Sequence, residues 1–306
     1  DIPRVFIENF KDIKKLHEKK LTKIDMVVSD THHRYNPIFK SWIAHRKNLD
    51  KSFKIITADH GGMYGAKSIY NYNNAISSVV FKHQKKVLNN QISLPCLFLN
   101  KNKNISNDKI MIICKDIPKY PRHFLNGPMC EEIISEFKQV QKFIENSNAD
   151  IRKKIIIRPY RRTGWQLDKK YKKIVGKKNM IYSNEDYNKL RDDAIIRIVN
   201  YPQTAFLESI INGPTFLLFN KKLYYENKYN EKFMNILFKN KIAFESGRDL
   251  STHLNKINSN ILDWWNQKKI KDSINIFMDN INIYDEDPIK SWARNIKKIS
   301  NSKFLK

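Results

Sequence analysis

The amino-acid sequence predicts an α/β fold with mainly parallel sheets, on two observations. First, six short apolar runs, rich in β-branched residues, have the length of strands that are buried on both faces. Second, helical patterns lie between several of these runs, and strands that alternate with helices are typical of Rossmann-like units. The chain of 306 residues is long enough for two such units. The predicted strands cover residues 24–29, 54–58, 109–114, 154–157, 194–199 and 215–219.

Three helical patterns support this prediction. Residues 128–146 place their apolar side chains on one stripe, as a helix packed on a sheet does. A short helix is predicted over 203–212, where Gly213 follows as a stop signal. A long helical pattern covers 250–280, and we expect one break in it near Asn266.

Composition along the chain predicts three parts. The segment 100–108 is polar, rich in Lys and Asn, and lacks apolar periodicity, which predicts a linker. Residues 1–105 are predicted to form a partial Rossmann-like unit, and residues 106–285 a fuller one. Residues 286–306 carry an amphipathic pattern, and we expect this helix to pack back on the first unit.

The net charge of the chain is strongly positive. Lys and Arg number 57 against 31 Asp and Glu, which gives +26 at pH 7. The aromatic content of 12% excludes a wholly disordered chain, because disordered chains are poor in aromatic residues. The lysines are dispersed and no nucleic-acid-binding motif accompanies them, so a solvated surface is favoured over an anionic ligand or a membrane surface. A nucleic-acid partner is the least favoured of the three.

The cysteines and acidic residues predict no metal site and no cofactor. Cys96, Cys114 and Cys130 form no CxxC pair, and the sequence contains no DxD motif that could bridge a metal ion to a diphosphate. Cys114 lies in an apolar run and is expected in the core. A cytoplasmic location is expected, with peripheral contact at the inner face of the plasma membrane left open by the charge.

A glycine-rich loop, His60-Gly61-Gly62-Met63-Tyr64-Gly65, follows the predicted strand 54–58. The carboxyl edge of a parallel sheet is where α/β proteins bind ligands, and glycines allow a close approach of the backbone. His60 can act there as an acid, a base or an anion ligand. Asp59 could orient its ring, although adjacent residues often point apart. The alternative is a structural turn with a surface histidine.

Arginines follow a second predicted strand. Arg158 lies at the end of the apolar run 154–157, and Arg161 and Arg162 lie in the loop beyond Tyr160. Guanidinium groups at a strand end suit the bidentate recognition of a phosphate or a carboxylate. The alternative is a cluster of surface ion pairs.

The third motif opens the helix predicted over 203–212. Gln203 and Thr204 lie at its start, where unpaired N–H groups and the helix dipole favour a phosphate. Glu208 lies one turn later on the same face, so that a phosphate and a sugar hydroxyl could be bound together. The alternative is a capped helix whose Glu208 is merely solvated.

Taken together, these motifs resemble one family. The segments IPRVFIENF, FKSWIAHR, HGGMYG, IIIRPY, YPQTAFLESIINGPTFLLF and ILDWWNQ, in this order, are similar to the transferases of the LIC12162 family, which are associated with the biosynthesis of surface polysaccharides such as lipopolysaccharide. The resemblance covers about residues 2 to 282. It implies a GT-B glycosyltransferase, in which two Rossmann-like domains face each other across a cleft and the C-terminal domain holds a nucleotide-sugar donor.

The resemblance also implies roles for the motif residues. The loop residues His60, Gly61, Gly62 and Tyr64 would line the cleft from the N-terminal, acceptor-side unit, with His60 as the general base or as a ligand of the donor anion. The donor phosphate would meet Arg158, Tyr160, Thr204 and one of the loop arginines. Glu208 would reach the nucleotide ribose. The acceptor would be a glycan or a lipid-linked glycan.

The donor and the completeness of the site stay open at this point. No metal is expected in the transfer, and a CMP-activated acidic sugar is one candidate donor because several arginines could bind both its carboxylate and its phosphate. Family members are longer before the segment that matches residues 2–10, and the acidic residues expected after the glycine-rich loop are absent from 66–78. The alternative function is therefore a shortened, non-catalytic chain that binds an anionic glycan, a membrane surface or a nucleic acid.

Overall fold

A computed structural model gives the fold of the chain. It describes residues 4–19, 24–63, 72–86, 88–97, 99, 107–120, 127–160, 164–182, 185–224 and 228–301. Within these ranges the strands form two separate parallel sheets, one of four strands and one of five. No helix in these ranges combines the length and the apolar character that crossing a bilayer would require.

The first sheet has the strand order β1-β2-β3-β4, and every neighbouring pair is parallel. Its strands are β1 (Met26–Ser29), β2 (Lys54–Ala58), β3 (Val79–Lys82) and β4 (Gln91–Ser93). The helices that precede or connect them are α1 (Arg4–Glu8), α2 (Phe10–Lys19), α3 (His32–Tyr35), α4 (Pro37–Leu49) and α5 (Asn73–Ile76).

The second sheet has the order β6-β5-β7-β8-β9, again with parallel neighbours. Met180 forms a parallel bridge with Ile157 on the outer side of β6, which extends the sheet to the strand order of a doubly wound fold. The strands are β5 (Ile110–Ile113), β6 (Ile155–Arg158), β7 (Ile196–Val199), β8 (Thr215–Leu218) and β9 (Ala243–Phe244).

Ten helices belong to this half of the described chain, and nine of them lie between or beyond its strands. They are α6 (Glu132–Asn146), α7 (Ala149–Lys154), α8 (Leu167–Val175), α9 (Glu185–Asp193), α10 (Thr204–Ile210), α11 (Lys228–Lys239), α12 (Gly247–Ile257), α13 (Ile261–Asn266), α14 (Lys268–Ile281) and α15 (Pro288–Asn301). The tenth, α15, returns to the first sheet.

Both faces of the first sheet are covered because successive strand residues point to opposite sides. Ile55 packs with Phe53 and with Ile43 of α4 on one side. Ile56 and its neighbours pack with Ile299 of α15 on the other. Trp292 Nε1 of α15 also donates a hydrogen bond to the carbonyl of Pro95 (2.8 Å). The last helix of the described chain therefore completes the core of the first sheet.

The second sheet separates two cores in the same way. Ile110 and Ile112 of β5 face α6 and α12, and Met111 and Ile113 face α10, α11 and α14. Cys114 is buried beside this strand, as predicted. Helices α6 and α12 approach closely at Gly247, whose N–H donates to Gln139 Oε1 (3.0 Å). A Cβ at Gly247 would collide with the backbone carbonyl of Gln139.

The six predicted strands are all present, most of them one or two residues shorter than predicted. Three strands were not predicted: β3, β4 and the two-residue β9. The long pattern over 250–280 is broken near Asn266, as expected, but also by a 3₁₀ turn over Asn258–Asn260, so it forms three helices. Most of the predicted linker, 100–106, lies outside the described residues.

Candidate functional site

The motif residues lie at the carboxyl edges of the two sheets. His60 follows the end of β2, Arg158 ends β6, and Thr204 begins α10 just after β7. The fold therefore brings each motif to the edge where α/β proteins place ligands. What the sequence left open is which side chains meet there.

His60 is held by two residues that follow the neighbouring strand β1. Its Nδ1 lies 2.7 Å from Asp30 Oδ2 and 3.2 Å from Thr31 Oγ1. Partial burial by itself raises the pKa of Asp30, but hydrogen bonds with His60 and Thr31 hold it below its ordinary value. Asp30 is thus ionised near pH 7, and because a carboxylate can only accept, it accepts a hydrogen bond from His60 Nδ1.

Asp59, which the sequence offered as the residue to orient His60, has a different role. It is buried and lies 3.6 Å from Lys82 Nζ, which is also buried. Its Oδ2 also accepts a hydrogen bond from the backbone N–H of His83 (3.1 Å). Adjacent residues of an extended segment point to opposite sides, so Asp59 is buried while His60 is exposed. Asp30 orients His60 instead.

The glycine-rich loop contacts the helix that carries the third motif. The N–H of Gly62 donates to Thr204 Oγ1 (3.0 Å), across 142 residues of sequence. Gly61 has φ +68°, and a Cβ there would lie 2.5 Å from Thr204 Oγ1. A Cβ at Gly62 would collide with Leu207 Cδ1. The two glycines allow two motifs from different sheets to approach each other closely here.

The loop also anchors in the core of the second half. Met63, directly after the two glycines, is 2% exposed and belongs to the hydrophobic cluster of α10, α11 and α14. Apolar burial therefore adds to the Gly62–Thr204 hydrogen bond in holding the His60 edge against α10. The hydroxyl of Thr204, which the sequence assigned to a phosphate, accepts from the loop and keeps its own hydrogen to donate.

Arg158 takes part in an arrangement of two arginines around one tyrosine. Its guanidinium carbon lies 5.3 Å from the ring centroid of Tyr187 on α9, and that of Arg191 lies 5.4 Å from the same centroid. Arg158 Nη1 donates to the carbonyl of Pro159 (2.9 Å). Cation–π contacts of this kind fix the direction of a guanidinium group. The edge of β6 therefore carries an ordered guanidinium group, that of Arg158.

Glu208 is engaged by Arg191, not merely solvated. Arg191 Nη1 donates to Glu208 Oε2 (2.8 Å), and Arg191 Nε donates to Asp192 Oδ1 (2.8 Å). Burial raises the pKa of the Glu208 carboxyl, and the Arg191 guanidinium opposes this effect. The Glu208 side chain keeps 21% of its surface exposed, so a ligand can reach it.

A buried arginine, Arg197, binds the backbone of the residues that carry this ion pair. Arg197 of β7 is fully buried, and its Nε donates to the backbone carbonyl of Arg191 (2.6 Å). Its Nη2 donates to the carbonyl of Asp192. The C-terminal turn of α9 is thereby tied to the sheet, and Arg191 is positioned for Glu208.

The remaining predicted residues are placed as follows. Tyr160 is half exposed and close enough to Tyr201 to contribute to the raised pKa of that tyrosine, which burial mainly causes. Both tyrosines follow strands of the second sheet, β6 and β7. Gln203 precedes α10, and its side chain makes no capping hydrogen bond. Tyr64, Arg161 and Arg162 lie outside the described residues. In the part of the chain that the structure describes, no three His, Cys, Asp or Glu side chains are grouped so as to hold a metal ion.

Sequence reasoning missed Asp30, Thr31, Tyr187 and Arg191. A signal was available for the first two, because they directly follow the predicted strand 24–29 and so had to lie at the same edge as His60. No comparable signal marked Tyr187 or Arg191. Both lie on a polar helix, and only the tertiary structure brings them to Arg158 and Glu208.

The model of the LIC12162 family transferases matches residues 1–296. The chain belongs to this family. Its membership in the LIC12162 family makes it a transferase, as the resemblance of its motifs implied. None of the curated proteins matches the chain in sequence.

Solved structures establish the fold of this LIC12162 family member. The UDP-GlcNAc 2-epimerase of Methanocaldococcus jannaschii, in complex with UDP-GlcNAc and UDP, is 13% identical, with a TM-score of 0.52 over 95% of this chain and 79% of its own. HepE of Anabaena, in complex with UDP and glucose, is 10% identical, with a TM-score of 0.52 over 96% and 81%. The spinosyn rhamnosyltransferase SpnG, complexed with spinosyn aglycone, is 9% identical, with a TM-score of 0.52 over 97% and 78%. These proteins share the GT-B architecture, and this chain has it too.

Proposed function

We propose that this LIC12162 family member is a glycosyltransferase that moves a sugar from a nucleotide-sugar donor to a cell-surface glycan acceptor. One observation carries the proposal: the Gly62–Thr204 hydrogen bond holds the edge with His60 and Asp30 against the helix that carries Glu208. This contact brings a group suited to take a proton next to the helix that carries part of a cluster suited to bind a nucleotide.

The donor is proposed to bind at the edge of the second sheet. Arg158 would meet the phosphate nearest the sugar, because its guanidinium is already oriented by Tyr187. Thr204 would donate its hydroxyl hydrogen to the same phosphate. Glu208 would accept from a ribose hydroxyl with the oxygen that Arg191 does not engage. HepE and the archaeal epimerase, which share the fold, bind UDP, so UDP is the first nucleotide to test and CMP the second.

His60 is proposed to be the general base. The acceptor hydroxyl oxygen would form a bond to the anomeric carbon while the bond from that carbon to the leaving phosphate breaks. The hydroxyl proton would pass to His60 Nε2, and Asp30 would stabilise the imidazolium that results. Arg158 would stabilise the charge that develops on the leaving phosphate. No metal ion and no cofactor has a role in this proposal.

The donor site can be tested by thermal unfolding in the presence of UDP, CMP, GDP or ADP. A ligand that binds only the native state stabilises it by roughly 2.7 kcal/mol at a hundred times its Kd. We expect one nucleotide to raise the unfolding temperature of the wild type, and Glu208→Ala to lose that shift. Arg191 keeps Asp192 as a partner in this variant, so the fold should persist.

The matched control for Glu208→Ala is Glu145→Ala, which removes an exposed glutamate at the end of α6. It should keep the full shift. If none of the four nucleotides shifts the wild type, or if Glu208→Ala shifts as much as the wild type, the donor site is wrong. The non-catalytic alternative would then replace the transferase proposal.

The contact between the loop and α10 gives a second test. Gly61→Ala and Gly176→Ala both place a side chain at positive φ (+68° and +80°), which costs about 1–3 kcal/mol. Only at Gly61 does the new Cβ also meet another group, Thr204. Because a displacement of about 1 Å between reacting groups can cost on the order of 100-fold in rate, we expect Gly61→Ala to lose most of its transfer activity.

Release of nucleotide from the sugar donor, measured for both variants, checks this prediction. Gly176→Ala should retain activity near that of the wild type, because its Cβ would meet nothing within 4 Å. Equal rates for the two variants would show that the loop contact has no part in assembling the site.

A further inference from the structure

An apolar trough lies beside the His60 edge, in the first half of the chain. It has a volume of about 560 Å³ and lies between α4, α5 and β2. Its apolar surface comes from Ile43 and Ala44 of α4, Ile55 of β2, and Tyr72 and Ile76 next to or on α5. We call this feature the α4 trough. Its volume and its apolar lining are those of a small-molecule site, not of a packing defect.

Positive charge lies along one wall of the trough. Lys40, Lys47 and Lys51 all line it. Lys47 Nζ donates to the backbone carbonyls of Lys51 (2.7 Å) and Phe53 (2.8 Å), and Lys51 Nζ lies 3.4 Å from Asn48 Oδ1. Within the described ranges, none of these three lysines forms an ion pair with a carboxylate. The lysines that do so are Lys14, Lys82, Lys154, Lys221 and Lys268. Lys40 is therefore the cation of the trough that is best able to meet an anion.

The Lys40 end of the trough adjoins the candidate active site. His33 lines the trough there and is fixed by two hydrogen bonds: its Nε2 donates to Asn73 Oδ1 (3.1 Å), and its Nδ1 accepts from the Ser29 hydroxyl (3.1 Å). It lies two residues after Thr31, which contacts His60. Burial and the nearby charges of Arg34 and Lys40 lower the pKa of His33 to about 4, so this ring adds no charge near pH 7.

We propose that the α4 trough binds the apolar chain of an amphiphilic anion, with the anionic group at Lys40 and the chain running along α4. The stretch from Lys40 to Asn48 spans eight residues, or about 12 Å of helix. The inference rests on the proposed function, because it makes this amphiphile the carrier of the acceptor. Its anionic head would then lie next to His60, where the acceptor hydroxyl must be.

The charge and the apolar lining select this chemistry together. A free phosphate would gain nothing from the isoleucines, and a neutral lipid would gain nothing from Lys40. Each methylene group that leaves water strengthens binding about fourfold. If the alkyl group lies in the trough, the affinity of the amphiphile must therefore rise with the length of that alkyl group. The affinity of an anion held only by a surface lysine does not depend on alkyl length.

The test is calorimetric titration of the full chain with inorganic phosphate, hexyl phosphate, octyl phosphate and octyl glucoside, all as monomers. We expect octyl phosphate to bind more tightly than hexyl phosphate by on the order of tenfold, and inorganic phosphate to bind far more weakly than either. Octyl glucoside should bind more weakly than octyl phosphate. Equal affinities for hexyl and octyl phosphate would overturn the proposal.

Two variants locate the site, each with a matched control. Ala44→Trp fills the trough from an exposed helix position, and Ala293→Trp places the same side chain on an exposed position of α15. Only Ala44→Trp should abolish octyl phosphate binding. Lys40→Gln should weaken octyl phosphate but not octyl glucoside, whereas Lys153→Gln on α7 should change neither. Undiminished binding of octyl phosphate to a folded Ala44→Trp variant would place the amphiphile elsewhere.

Failure of this proposal can be separated from failure of the proposed function. If UDP or another nucleotide shifts the wild type but octyl phosphate does not bind in the trough, the donor site stands and the amphiphile proposal falls. If octyl phosphate binds as expected but no nucleotide does, the trough stands as an amphiphile site and the transferase proposal falls.

Discussion

Replacing His60 with alanine should lower the rate of sugar transfer by a factor of about 10²–10⁴, the usual contribution of a general base. The expectation follows from the 2.7 Å contact of His60 Nδ1 with Asp30, which orients the ring and would stabilise the imidazolium that forms when Nε2 takes the proton of the acceptor hydroxyl. The measurement is nucleotide release at saturating donor and acceptor. The matched control is His32→Ala, which removes an exposed histidine of α3 from the same sheet edge.

The same variant separates the two roles that the sequence left open for His60. If His60 is the base, His60→Ala should lose rate but keep the thermal shift with the nucleotide that stabilises the wild type. If His60 binds the donor anion instead, that shift should fall along with the rate. A variant with the full rate of the wild type would remove His60 from the mechanism altogether.

Replacing Gly247 with alanine should destabilise the fold by about 3 kcal/mol, at the upper end of what overpacking costs. Gly247 begins α12 where that helix meets α6, and a new Cβ would collide with the carbonyl of Gln139 and lie 2.7 Å from the backbone nitrogen of Phe143. Both of these atoms belong to the backbone of a packed helix, so neither can relieve the clash by a change of rotamer, as a side chain could. Unfolding in denaturant, followed by circular dichroism, measures the loss.

The neighbouring residue provides the control for this prediction. Arg248 is exposed in the same helical turn, and Arg248→Ala should change the free energy of unfolding by no more than about 0.5 kcal/mol. If Gly247→Ala is as stable as Arg248→Ala, the close approach of α6 and α12 is not a fixed feature of the fold.

The strands that could be predicted from the sequence are those that form continuous apolar runs. The run 109–114 predicted β5 because both faces of that strand are buried, and the same holds for β7 and β8. The strand β3 was not predicted because it ends in Lys82, a residue that sequence patterns place on the surface. Lys82 is buried in the structure because Asp59, 23 positions earlier in the chain, neutralises it.

The candidate site could be predicted as a set of motifs but not as a set of partners. The strand edges predicted where His60, Arg158 and Glu208 lie. Two of these residues have partners that local spacing does not predict. Asp30 contacts His60 and Arg191 contacts Glu208 because of which strands and helices become neighbours in the fold. The Gly62–Thr204 contact joins residues 142 positions apart, and only the packing of the two halves creates it.

The return of α15 to the first sheet has a consequence for the order of folding. The carbonyl of Ile299 accepts a hydrogen bond from Lys54 Nζ across 245 positions, one of the longest sequence separations in the described chain. During synthesis on the ribosome, the strands of the first sheet emerge early, but the side of the sheet around Ile56 and Phe81 stays uncovered until α15 emerges. Of the two described sheets, the one that is translated first is therefore the last to be completed, and its apolar side is the surface that a chaperone would have to protect in the meantime.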